Sequence, residues 1–127
     1  MWRDRCRVSS ANKRKGSRWE IDLEDYYNDN GLKARRLPRA GTKDIGDVAI
    51  ELRNNHVIVV EAKNVRANKV PEWLAEADVE ADNYQEKYDT PCYGVVVRKS
   101  PGKNASGGVV MMTQETLLNL LRWNGLA

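Results

Sequence analysis

The sequence predicts an α/β domain with a central mixed β-sheet flanked by helices, in the order αβββαββα. Three observations carry the expectation. Apolar residues recur at helical spacing near the start, the middle and the end of the chain, around Trp19 and Leu23, Trp73 and Ala77, and Leu117 and Leu121. Short apolar runs lie between them, above all His56-Val57-Ile58-Val59-Val60, nearly all apolar as in a strand buried on both faces. Arg53-Asn54-Asn55 separates two such runs and reads as a hairpin turn.

Taken in order, residues 1–14 are polar and basic without a clear period and read as a flexible arm, leaving 15–127 as one domain. A helix is expected to begin near Ser17. Ser17-Arg18-Trp19-Glu20 has the capping-box pattern, Asp22, Glu24 and Asp25 suit the positive helix end, and Asn30-Gly31 can stop it. Lys33–Pro38 reads as a polar edge strand, and Ile45–Leu52 and His56–Lys63 as the arms of the hairpin. A loop over 64–71 ends at Pro71, where a second helix starts. It runs from about Glu72 to Tyr88, with Trp73, Ala77, Ala81, Tyr84 and Tyr88 along one side and its acids on a solvated face. Cys92–Val97 is a fourth strand, residues 99–108 a mobile loop rich in Gly and Ser, and Val109–Met112 a fifth strand. Thr113 caps a last helix.

Composition narrows the function classes. The chain has 127 residues, 41% apolar and 31% charged, which fits one soluble globular domain. No apolar run approaches the roughly 18–20 residues that span a bilayer. The N-terminus lacks the apolar stretch of a secretory signal, and Cys6 and Cys92 have neither a disulfide framework nor metal-ligand spacing, so an intracellular location is expected. The net charge of +3 is unevenly spread. Arg3, Arg5, Arg7, Lys13, Arg14, Lys15 and Arg18 face Asp4 alone, and Lys33, Arg35, Arg36, Arg39 and Lys43 form a second cluster without an acid. Such patches suit a polyanion, because each neutralised phosphate releases counterions. A solvated basic tail is the other reading of the first cluster.

The chemistry centres on Glu61-Ala62-Lys63. Residues two apart in a strand point the same way, so Glu61 and Lys63 emerge side by side at the end of an apolar strand. Alone, that pair reads as an ordinary ion pair. Asp47, entering the apolar run of the preceding strand after Gly46, changes the reading. If the strands pair across the Asn54 turn, Asp47 falls beside Glu61. Two adjacent carboxylates repel unless a cation joins them, and hard oxygen donors without histidine or thiolate favour Mg²⁺ or Mn²⁺. Such a cation stabilises charge on a phosphoryl oxygen and activates water, while Lys63 orients the water or screens the phosphate. Asp44 reads as a turn residue. Gln85, on the apolar side of its helix, either approaches the site or satisfies a backbone group.

Asp47 followed 14 residues later by Glu61-Ala62-Lys63, after a helix bearing Glu20, resembles the PD-(D/E)XK nuclease superfamily. Within it the chain is most similar to archaeal-type Holliday junction resolvases. Lys15-Gly16-Ser17-Arg18-Trp19-Glu20 matches their first-helix pattern, and Arg35, Arg36, Arg39 and Ala40-Gly41-Thr42 match their basic strand and small-residue loop. The likeness covers about residues 13–98. It implies a restriction-endonuclease-like core, a metal site of Glu20, Asp47, Glu61 and the Ala62 carbonyl, and Lys63 as the catalytic lysine. It also implies DNA contacts from Arg14, Lys15, Arg35, Arg36, Arg39, Thr42 and Lys43. Two departures stand out: Gly46 replaces the motif's proline, and Thr42 stands where resolvases often carry serine. The expected activity is structure-selective cleavage of branched DNA by a Mg²⁺- or Mn²⁺-dependent homodimer. The alternatives are a restriction-type, flap-cutting or nicking nuclease of the same fold, or a non-catalytic nucleic-acid-binding module. The leucines of the last helix either complete the monomer core or form the dimer contact.

Overall fold

The computed structural model describes the backbone of residues 2–39 and 43–127, and side chains from residue 14 onward except 40–42. The predicted order is observed: α1 (Trp2–Asp29), β1 (Lys33–Arg36), β2 (Val48–Glu51), β3 (Val57–Lys63), α2 (Val70–Tyr88), β4 (Cys92–Arg98), β5 (Val109–Met111) and α3 (Gln114–Trp123). The strands form one mixed sheet in sequential order. β3 and β4 run parallel, joined by α2 as crossover, and every other neighbouring pair is antiparallel. The short polar strand β1 lies at the edge, as its composition implied.

Helices cover the sheet from both sides. Trp19 and Leu23 of α1 pack on Val48, Ile50, Val60, Val95 and Val97, and the Trp19 indole donates to the Val97 carbonyl at 3.1 Å. On the opposite face, Ala81 and Tyr84 of α2 pack with Ala49, Val57 and Val59, while Trp73 and Ala77 pack with Val96. Strand alternation thus assigns Glu61 and Lys63 to the α2 face and Ala62 to the α1 face. Gly94 of β4 lies directly under α2. A β-carbon there would stand 2.2 Å from the Ala77 carbonyl oxygen, so only glycine lets the helix come this close.

Two expectations are corrected. The first helix does not begin at Ser17 but at Trp2, running without a break through the predicted arm, so Ser17 and Glu20 lie in a helix interior and form no cap. A capping box specifies an N-terminus only when the preceding residues are not themselves helical. Residues 99–108 are also more ordered than their composition implied. They contain a 3₁₀ turn, Ala105–Gly107, and the Ser100 hydroxyl donates to the Gly107 carbonyl at 2.7 Å. Thr113 caps α3 as expected, accepting from the Thr116 N–H at 3.1 Å.

Candidate metal centre

Two neighbouring strand ends create the site. β2 and β3 pair with Val48 opposite Val60, which brings Asp47 and Glu61 together just beyond the ladder. Asp47 is held at both ends. Its N–H donates to the Val60 carbonyl at 2.9 Å, and its Oδ2 accepts the Ala62 N–H at 2.9 Å. Gly46, at φ +101°, supplies the backbone conformation that turns the chain into this position. From the other layer, α1 contributes Glu20, almost wholly buried. Glu20, Asp47, Glu61 and Ala62 all line one cleft of about 320 Å³, together with Arg39, Lys43 and Asp44.

The electrostatics are those of crowded acids. Asp47 is pushed up to about 8 by burial and by the Glu61 charge, despite the Ala62 N–H. Glu61 is raised by burial and by its contact with Glu80 of α2, and burial raises Glu80 in turn. Arg39 bridges two of the acids: one guanidinium nitrogen lies 2.7 Å from Glu20 Oε2 and 3.3 Å from Asp47 Oδ1. Glu20 and Asp47 thus already converge on a positive charge, and Glu61 Oε2, buried, has no hydrogen-bond partner among the described residues. This all-oxygen donor set fits a hard divalent cation.

Lys63 stands at the α2 end of the site, 3.5 Å from Glu61 Oε1 and 2.9 Å from Glu76 Oε1. Burial alone would lower its pKa, but the hydrogen bond to Glu76 and the Glu61 charge more than offset this and hold it raised. It is therefore an ammonium, a donor and charge but not a base.

The basic residues divide between the two faces. Arg36 reaches Glu20 at 3.4 Å beside Arg39, whereas Arg35 turns to the Tyr84 hydroxyl at 2.9 Å. Lys43 pairs with Glu86 at 3.2 Å, and Arg14 and Lys15 are exposed on α1. Thr42 lies outside the described residues. Gln85 is exposed on α2 and absent from the cleft lining. Glu80 is the acid of α2 that reaches the site, whereas sequence reasoning assigns it to the solvated face. A signal was present: Glu80 is three residues after Ala77 and four before Tyr84, on the buried stripe. Asp44 forms the expected turn, accepting from the Gly46 N–H at 3.0 Å, yet its carboxylate also groups with those of Glu61 and Glu80.

The family model for archaeal Holliday junction resolvases (hjc) matches residues 11–81, a span that includes all the cleft acids. No curated protein matches. Among solved structures, the chain resembles Hjc of Archaeoglobus fulgidus, a Holliday junction resolvase from an archaeal hyperthermophile. Identity is 14% and the TM-score 0.49, over 80% of this chain and 90% of that one. It also resembles a repair endonuclease from Pyrococcus abyssi, at 20% identity and TM-score 0.46, over 86% of this chain and 43% of that one.

Proposed function

The chain belongs to the archaeal Holliday junction resolvase family, and from that membership we propose that it cuts branched DNA as a Mg²⁺-dependent (or Mn²⁺-dependent) endonuclease acting as a homodimer. The observation that carries the reading is that Glu20, Asp47 and Glu61 line one cleft, with the Lys63 ammonium 3.5 Å from Glu61 Oε1. Glu20, Asp47, Glu61 and Ala62 would hold the cation. When bound, it supplies Lewis-acid chemistry, polarising a phosphoryl oxygen and acidifying water. Asp47 keeps its place through the Ala62 N–H, and Lys63 donates to the phosphate or to the attacking water. Arg36 and Arg39, whose guanidinium groups lie against Glu20, are positioned to exchange that partner for DNA phosphates once a cation takes over the acids. Arg14, Lys15, Lys43, Arg35 and Thr42 extend the DNA surface in this reading, and residues 1–14 serve as a basic extension of the nuclease domain, 15–127.

The homodimer reading rests on need and on surface. A four-way junction requires paired cuts, and a two-fold dimer presents two sites in matching orientation. No described residue of α3 is buried, and Leu118, Trp123 and Leu126 are at least half exposed, as are Val109 and Val110 of β5. The test is cleavage of a labelled four-way junction beside linear duplex and flap controls, with Mg²⁺ and with chelator. Paired symmetric incisions confined to the junction and lost with chelator are expected. Equal cutting of linear duplex or flap would overturn junction selectivity in favour of another nuclease of this fold, and metal-independent binding without incision would mark a non-catalytic module.

A further inference from the structure

Glu80 is a buried acid for which the resolvase reading has no use. It is 1% exposed, and neither of its carboxylate oxygens has a hydrogen-bond partner among the described residues. Glu61 Oε2 shares that condition. The other acids are compensated. Glu20 faces Arg36 and Arg39, Asp47 faces Arg39 and the Ala62 N–H, and Glu61 Oε1 faces Lys63. Asp44, exposed on the loop before β2 and accepting from the Gly46 N–H, adds a third carboxylate beside this unpartnered pair. One carboxylate oxygen each from Asp44, Glu61 and Glu80 lie within 4.8 Å of one another.

Carboxylates packed together away from water repel, and one must be neutralised by a proton or share a cation with its neighbours. The fold gives Glu80 no other route. Val79 and Asp82 of α2 face solvent, whereas Glu80 is buried with its neighbour Ala81, at an inward position between Ala77 and Tyr84. The close approach over Gly94 holds that stretch of helix against the sheet. A side chain of this volume could have been leucine or methionine there at no electrostatic cost.

We propose that Asp44, Glu61 and Glu80 form a second divalent-cation position, which shares Glu61 with the Glu20–Asp47–Glu61 centre and rests on reading that centre as a metal site. The donors are all carboxylate oxygens, so the ligand class is a hard cation such as Mg²⁺, Mn²⁺ or Ca²⁺. Because its three donors come from a loop, a strand and a helix, the cation ties α2 to the β2–β3 end of the sheet.

The test counts bound Mn²⁺ on the metal-stripped full chain, using the electron paramagnetic resonance signal of the free ion during titration. Wild type is expected to bind two Mn²⁺, and Glu80→Gln and Asp44→Asn one. The remaining site should keep its affinity, and any residual second binding should be weaker by on the order of tenfold or more. Asparagine retains the turn acceptor that Asp44 offers to the Gly46 N–H, and circular dichroism checks that both variants fold. Variants that bind as many ions as wild type, as tightly, would overturn the proposal, as would a wild type that binds only one. This outcome is separable from the nuclease reading: a chain that cuts junctions with one Mn²⁺ sinks the second position alone. A chain that binds two and cuts nothing sinks the nuclease reading alone.

Discussion

At the scale of single residues, the acids divide by how they reach the cleft. Glu61 and Lys63 were legible because strand alternation has a period of two, and Asp47 because an antiparallel hairpin fixes which residue lies opposite which. Both rules are local. Asp44 reads as a turn residue and is one, while Glu80 meets β3 only once α2 has crossed the sheet; the period of α2 marks Glu80 as inward but not that it lies over Glu61. Glu20 was legible as an acid on a helix, but its local pattern pointed to a cap that a longer helix removes. The residue-level prediction follows from the proposed shared cation. Asp47→Asn and Glu61→Gln should each lower the cleavage rate at least about a hundredfold to a thousandfold, the scale of losing one electrostatic stabiliser. Junction affinity in a gel-shift assay should stay level or rise, since each variant removes a negative charge facing phosphate. Undiminished cutting by both would place the chemistry elsewhere.

At the scale of elements, strand positions were more legible than helix starts. The strands are defined by apolar runs bounded by turn residues. The N-terminus of α1 lies in a stretch whose basic side chains carry no amphipathic period, so nothing distinguished an extended arm from a helix. In either conformation the stretch carries Arg3, Arg5, Arg7, Lys13 and Arg14. Removing residues 1–14 should weaken DNA affinity irrespective of sequence and flatten its salt dependence. The log–log slope should change by about 0.9 for each duplex phosphate that the shortened chain leaves unneutralised. Binding titrations across salt concentration read that slope, and an unchanged value would make the extension a bystander. For the 99–108 segment, composition indicated looseness, while tertiary packing ties it down. Gly108 lies so near the Trp19 ring that an added β-carbon would stand 3.2 Å from it, an arrangement that depends on α1 already being on the sheet.

At the scale of the whole molecule, the acids around Glu61 come from both helical layers, Glu20 from α1 and Glu80 from α2, so binding of the proposed cation would be linked to folding. In the metal-free protein, burial and mutual repulsion raise Asp47 to about 8 and also raise Glu61 and Glu80. The folded chain then holds protons that the unfolded chain releases above about pH 4. The stability these groups contribute is complete below that pH and is lost as pH rises through their folded values. The melting temperature with chelator should therefore fall between about pH 6 and pH 9, and Mg²⁺ should restore it most at the alkaline end, where it competes with fewer protons. A metal-free melting temperature that rises over that range would contradict the assignment. Assembly is the second whole-molecule property. Sedimentation at micromolar concentration should give twice the 14.4 kDa chain mass, and Leu118→Glu with Trp123→Glu should shift it toward the monomer if α3 is the seam. A monomer that still makes paired incisions would refute the dimer.

The bare backbone at Gly94 acts as a mechanical gauge for the acidic end of the molecule. Where a methyl group would strike the Ala77 carbonyl, the absence of one sets the height of α2 above the sheet and therefore how far the Glu80 carboxylate descends toward Glu61. Gly94→Ala adds no charge and touches no acid, yet it should lift the helix and cost about 1–3 kcal/mol in overpacking strain. Calorimetry would show the reduced stability, and Mn²⁺ titration would show weaker binding from a substitution that changes no donor. If the ion count and affinity survived that lift, the seating of α2 would matter to stability alone.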